Sequence, residues 1–276
     1  MSARLLLGKP VAEEICRDIV KQLNGVNPKL CLLGFDEPRW NQYANSLKNS
    51  AAKYGFKCEN IVLKYGISAD EFSSRIEDVC SRSDVCGVMV QQPLDKQYKS
   101  LVEHINVDKD VDCLNPMTVY KLYNGEQGLR PATPQAVLKL LDFYQIDLKG
   151  KNVVVVGRGK AVGKPLALML LERNATVTIC HTKTVDLPSV CRNADIIVSA
   201  CGAAGLITSD YVTERSIVID VGLSFVDGKT CGDVSSDVYE KCCAVSPVPG
   251  GIGPITRATL FENLFKAAKA QNDDIR

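Results

Sequence analysis

The residues best placed by type and spacing to do chemistry lie in GRGKAVG, Gly157–Gly163. This turn joins an all-valine strand to the apolar segment KPLALML. Glycines at 157, 159 and 163 let a backbone bend sharply and approach an anion. A helix that starts there adds free N–H groups and the positive end of its dipole. The spacing is G-x-G-x-x-x-G, not the more common G-x-G-x-x-G. The glycines alone therefore fit a strand–helix turn that is tight only for packing, and the strand–turn–helix context is what favours a nucleotide. Arg158, inside the turn, can grip the extra phosphate of NADP, the plain alternative being a solvated surface arginine. A carboxylate just after the next strand, TVTIC, would accept from the ribose hydroxyl of NAD. His181, Thr182 and Lys183 stand there instead. With Arg158 they tilt the reading to NADP and leave NAD use open.

Other chemistry is thinly represented. The two histidines, His104 and His181, sit in neither a nucleophile pattern nor a metal pattern. The 12 cysteines are scattered, with Cys242-Cys243 the one close pair. Neither C-x-x-C nor a zinc spacing occurs, so we expect reduced, mostly buried thiols and no metal site. With 33 basic and 32 acidic residues the net charge is +1, which gives no argument for nucleic acid or a membrane surface. The start, MSARLLLGKP, is too briefly apolar for a signal peptide, and no segment is long enough to span a bilayer. The expectation is a cytoplasmic protein that works on small molecules.

The elements that must hold the turn alternate regularly. Lys29–Phe35, Glu59–Leu63 and Cys86–Gln92 read as strands, with helices over Asn41–Tyr54 and Asp70–Ser81. In the second half Asn152–Gly157, Thr176–His181, Asp195–Cys201 and Ser216–Gly222 read as strands buried on both faces. Such alternation predicts an α/β fold with parallel sheets covered by helices. The turn-rich NGEQGLRPATP marks a boundary near Thr118–Pro134. A helix over Gln135–Ile146 follows, with Thr133 as N-cap and Pro134 at its first position. A last helix begins near Pro254 and returns to the first domain.

The motifs then add up in one order. GVMVQQPL (Gly87–Leu94), DKDVD (Asp108–Asp112), PATP (Pro131–Pro134), GRGKAVGKP, ATVTICHTKT (Ala175–Thr184), VIDVGL (Val218–Leu223), GDV (Gly232–Val234) and PVPGGIGPITRATL (Pro247–Leu260) follow one another. Over almost its whole length the chain resembles the methylenetetrahydrofolate dehydrogenase/cyclohydrolase family. The resemblance implies two α/β domains with a cleft between them, the second a Rossmann-type parallel sheet. It places residues 1–118 and 254–276 in the folate-binding domain and 119–253 in the dinucleotide domain. It also implies a homodimer and a tetrahydrofolate one-carbon substrate.

The resemblance carries over residue by residue. Asp112 matches the pterin-binding carboxylate, a group that can accept two parallel N–H bonds; the bland alternative is a turn cap. The family continues with Gly, Phe and His-Pro, where this chain has Cys113, Leu114 and Asn115-Pro116. Tyr43 matches the tyrosine that stacks on the aminobenzoyl ring; otherwise it is a half-buried helix residue. Val90, Gln91 and Gln92 fall in the folate strand end, with Gln91 the residue that places the family's catalytic lysine. That lysine belongs four residues after Tyr43, and Leu47 occupies its position. Lys48 is rotated by roughly 100° around a helix and should point away. Pro249, Gly250 and Gly251, with Gly253, match the loop that lines the cleft, unless they form only a tight loop. Gly157, Arg158, Gly159, Val162, Gly163, His181, Thr182, Gly202 and Leu223 are the cofactor positions. The family has Ser at position 159 and often at 182.

Leu47 carries the functional expectation. Hydride loss from an N–CH2–N unit needs positioning and no general base. Hydrolysis of the resulting methenyl carbon needs an acid/base group nearby. The expected activity is a dehydrogenase with weak or absent cyclohydrolase, alongside a separate cyclohydrolase in the same pathway. Three rivals are a bifunctional enzyme with a substitute acid/base, a shikimate-dehydrogenase-like oxidoreductase, and a non-catalytic binder of folate or nucleotide.

Overall fold

A computed structural model describes residues 2–23 and 25–273. Its elements begin with β1 (Arg4–Leu5), α1 (Gly8–Gln22), β2 (Lys29–Phe35), α2 (Pro38–Lys53), β3 (Lys57–Leu63), α3 (Ala69–Ser81) and β4 (Gly87–Val90). They continue with α4 (Pro116–Tyr123), α5 (Ala132–Phe143), β5 (Asn152–Val156), α6 (Gly163–Glu172), β6 (Thr176–Cys180), α7 (Leu187–Arg192) and β7 (Ile196–Ser199). The remainder is β8 (Ile217–Asp220), β9 (Ser224–Val226), β10 (Lys229–Cys231), β11 (Ala244–Val245) and α8 (Ile252–Asp273).

The chain forms two compact units. One contains Met1–Glu13 with Thr133–Thr259, the other Glu14–Ala132 with Leu260–Arg276. The sequence reading had divided the chain at 118/119 and 253/254, with the N-terminal segment in the folate-binding domain. The structure joins that segment to the other unit, because β1 pairs in parallel with β11, Arg4 beside Ala244. A two-residue strand carries no periodicity to read.

In the unit formed by 14–132 and 260–276, three parallel strands run in the order β3-β2-β4. Leu30 and Leu32 of β2 pack with Trp40, Ala44, Leu47 and Ala51 of α2 and with Phe261 and Leu264 of α8. The opposite face of β2, Cys31, Leu33 and Phe35, packs on Phe72 and Ile76 of α3. Both faces of β2 are therefore buried, which accounts for its continuous apolar run.

In the unit formed by 1–13 and 133–259, six parallel strands run β1-β11-β8-β7-β5-β6. The chain leaves β5 toward β6 on one side and then crosses to β7 on the other. The order therefore reverses between β5 and β7, the place where open α/β sheets bind ligands. The expectation of strands buried on both faces holds for β5, β7 and β8 but not for β6. That strand is largely exposed because it forms the edge of the sheet. The helix expected from Gln135 begins at Ala132 and ends at Phe143. Thr133 and Pro134 thus lie in its first turn, where a missing N–H costs nothing. All twelve cysteines are free; six are buried and only Cys201 and Cys243 are exposed.

Candidate active site

The phosphate turn is built by backbone. Gly157 sits at φ +126°, and a Cβ there would overlap the Ala200 carbonyl beyond β7. A Cβ on Gly163 would overlap the carbonyl of Gly157. These two glycines are thus required by close approach at the β5/β7 switch point. Gly159 has open space around it. Val162 is the N-cap of α6, without a side-chain capping bond. Nothing from the capping residue therefore competes for the first N–H groups of α6. Arg158, Lys160, Thr182 and Lys183 are exposed around the ends of β5 and β6. The His181 ring is already engaged: Nδ1 accepts from the Lys183 N–H at 3.1 Å, and the His181 N–H donates to Thr184 Oγ1 at 2.9 Å. His181 closes its own turn. The set fits a dinucleotide: a tight glycine turn, a helix N-terminus and exposed cations for phosphate.

Two buried carboxylates shape the loops beside that turn. Asp233 accepts from the N–H groups of Cys201, Gly202 and Ala203 and from the Ser199 hydroxyl. Asp220 accepts from the N–H groups of Gly222, Asp233 and Val234. Burial pushes the Asp220 carboxyl up to about 6 despite those bonds. Side chains at 222 or 232 would overlap these carboxylates, which explains the glycines of D-V-G and G-D-V. The bonds fix Gly202, at φ +66°, and lead the chain to Leu223, which is 64% exposed. An apolar side chain held that open at a strand end is free to meet a ligand ring. The sequence singled out both motifs without assigning these roles.

The loop from Pro247 to Gly251 is held by a residue the sequence reading missed. The Gly8 N–H donates to the Gly250 carbonyl at 2.8 Å, and a Cβ on Gly8 would overlap the Gly251 carbonyl. Gly250 lies at φ +107°, and Pro249 follows a cis peptide bond.

In the other unit Gln91 and Gln92 follow directly on the C-terminal end of β4. The turn 108–112 runs beside that strand, with Val88 bridged in parallel to Asp110. The two carboxylates of D-x-D divide their work. Asp110 is fully buried and accepts from Leu114 N–H, Asn115 N–H and the Thr118 hydroxyl. It does the turn capping. Asp112 is half-buried and has no hydrogen-bond donor among the described residues. Desolvation, then the Asp110 charge, pushes its carboxyl up to about 7. Cys113 holds the left-handed conformation at φ +60° that glycine would take freely. Asn115 caps α4 through the Met117 N–H and donates to the Glu103 and Ile105 carbonyls.

Gln91 is buried, with Oε1 accepting from the Phe35 N–H at 2.7 Å and Nε2 donating to Glu37 at 2.9 Å. Gln92 is exposed and precedes a cis Pro93. The Val90 side chain is fully buried in the sheet core, so as a predicted contact residue it offers only backbone. Tyr43 is 37% exposed, with its ring 6.0 Å from that of Trp40. Leu47, one turn on, is fully buried, while Lys48 is exposed. The expected shared face of Tyr43 and Leu47 is therefore split: Tyr43 faces solvent and Leu47 belongs to the core. Trp40, 5% exposed, leaves its indole N–H without an acceptor among the described residues. Neither Glu37 nor Trp40 carried a signal in the sequence.

Residues 131–272 match the profile of the tetrahydrofolate dehydrogenase/cyclohydrolase NAD(P)-binding domain, and residues 6–112 match that of its catalytic domain. The bifunctional protein FolD 1 of Desulfitobacterium hafniense is 41% identical, over 97% of this chain and 99% of that protein. A bifunctional methylenetetrahydrofolate dehydrogenase/cyclohydrolase of Campylobacter jejuni superimposes with a TM-score of 0.93 at 37% identity, covering 98% of this chain and 99% of that one. The Trypanosoma brucei N5,N10-methylenetetrahydrofolate dehydrogenase-cyclohydrolase, solved with NADP and an inhibitor, gives 0.91 at 29% identity and 98% coverage of both chains.

Proposed function

The chain belongs to the tetrahydrofolate dehydrogenase/cyclohydrolase family, and from that premise we propose that it oxidises 5,10-methylenetetrahydrofolate to the methenyl form with NADP and hydrolyses the product weakly or not at all. Bound NADP supplies the hydride acceptor. The Gly157–Gly163 turn and the start of α6 hold its diphosphate, with Arg158, Thr182 and Lys183 toward the additional phosphate. Gly202 and Leu223 line the nicotinamide end. Asp112, without a donor among the described residues, receives the pterin N–H groups, Tyr43 stacks on the aminobenzoyl ring, and Gln91 and Gln92 border the one-carbon unit. Pro249, Gly250 and Gly251 give a rigid backbone edge. The protein works as a homodimer.

One observation carries the weak hydrolysis. Leu47 sits fully buried among Leu30, Leu32 and Trp40, where the family has its lysine. Water addition to the methenyl carbon then lacks the acid/base group it needs, whereas hydride loss needs only orientation. A second reading has support too: the D. hafniense relative is bifunctional, and the Asp112 carboxyl, pushed up to about 7 by burial and the Asp110 charge, is a candidate acid/base. The test follows methenyltetrahydrofolate by absorbance after mixing protein, methylenetetrahydrofolate and NADP. Accumulation without enzyme-accelerated decay is expected. Prompt decay would favour Asp112 as the substitute, and no methenyl signal with NADP or NAD would overturn the dehydrogenase reading.

A further inference from the structure

Glu37 occupies the N-cap of α2 in an extended conformation, yet its side chain does not cap that helix. It reaches instead to β4, where its Oε2 accepts from Gln91 Nε2 at 2.9 Å. Half-buried, it makes no ion pair among the described residues, and Gln91 is its side chain's hydrogen-bond partner. A carboxylate accepts and cannot donate, so it turns the Gln91 amide with nitrogen toward α2 and oxygen toward the Phe35 N–H. The amide is thereby fixed at both ends by the β2–α2 corner, and the α2 position one turn after Tyr43 is the fully buried Leu47, the α2 lysines being Lys48 and Lys53.

We infer that Glu37 is a positioning residue for hydride transfer, orienting Gln91 and lending a negative charge that favours the methenyl cation over the neutral methylene substrate. This rests on the dehydrogenase reading above. The substrate gives up hydrogen with both electrons of one C–H bond to the oxidised nicotinamide, and its N–CH–N unit is left with one positive charge. A carboxylate bonded to the neighbouring amide lowers the energy of that charge, whereas an ammonium at position 47 would raise it. The same stabilisation makes the cation a poorer target for water.

The test compares the wild-type protein with Glu37→Gln, which keeps an acceptor oxygen and loses the charge, and with Glu37→Ala, which loses both. Dissociation constants are measured for methenyl- and methylenetetrahydrofolate, with kcat at saturating NADP. In Glu37→Gln the preference for methenyl over methylene should fall about three- to tenfold, with a matching fall in kcat. Glu37→Ala should in addition raise the KM for methylenetetrahydrofolate. Equal weakening of both ligands in Glu37→Gln, or no change in their ratio, would overturn the inference. A wild-type protein that binds neither ligand would instead overturn the folate reading on which it stands.

Discussion

The two candidate binding regions, one in each unit, are made of different materials. Around the dinucleotide turn the shape is set by backbone: Gly157 and Gly163 fill space that any side chain would invade. Asp220 and Asp233 there have their oxygens met by amide donors. Around Gln91 the site is set by side chains, and these are less constrained. Leu47 has joined the core, Cys113 holds a glycine-like conformation, and Asp112 and the Trp40 indole have no protein partner among the described residues. A site built from backbone cannot change one residue without losing its form. A site built from side chains can change its chemistry and keep the fold.

Several substitutions would break or sharpen that contrast. The largest effect is expected at Asp233→Ala, which strands three amide donors and a hydroxyl. The loss should be about 3–5 kcal/mol in urea unfolding; under about 1 kcal/mol, the carboxylate would not be what holds residues 201–203. Leu47→Lys buries an ammonium in an apolar cluster and should cost roughly 3 kcal/mol. A well-tolerated lysine would mean that the face of α2 is not sealed. Gly163→Ala pushes on the Gly157 carbonyl; a displacement on the order of 1 Å should lower kcat/KM for NADP about 100-fold. An unaffected variant would deny that the turn is a backbone cradle.

The next effect is a pH dependence. Asp112 is raised to about 7 and Asp220 to about 6, both above the usual carboxylate value in an unfolded chain, near ~4. The native protein therefore holds protons that the unfolded chain has released, and stability falls as pH rises from about 4 to about 7. Asp112→Asn should flatten the upper part of that slope. In the proposed role only the ionised form of Asp112 accepts the pterin N–H pair, so the KM for methylenetetrahydrofolate should fall as pH rises through about 7. A flat KM profile in the wild-type protein would remove Asp112 from the folate site. The smallest effect is expected at Cys113→Gly. Relief of the left-handed strain is offset by the freer unfolded chain, which leaves a net change within about 0.5 kcal/mol.

What the sequence disclosed follows the same division. The parallel sheets and the turn at Gly157–Gly163 were legible, because glycine spacing and long apolar runs are local signals. The reading of Leu47 at the position of the family's lysine rests on the family's pattern alone. The partnership of Glu37 with Gln91 joins residues 54 apart, and the contact of Gly8 with the 250–251 loop joins more distant ones still. Neither has a local pattern to announce it. The start of α5 was misplaced because proline fits the first helical turn at more than one position, and the burial of β6 was misjudged because edge and interior strands differ by neighbours rather than by composition.

The path of the chain through its two units has a consequence for synthesis. Strand β1 pairs with β11, Arg4 beside Ala244, and Phe261 and Leu264 complete the core around Leu30, Trp40 and Leu47. Emerging from the ribosome, neither unit can finish its core until residues well past 240 have appeared. Residues 4–5 and the apolar face of α2 wait for partners through most of translation, at roughly 5–20 residues per second. Interrupted translation therefore leaves two unfinished units rather than one complete and one missing, and no single cut in the chain yields either unit whole.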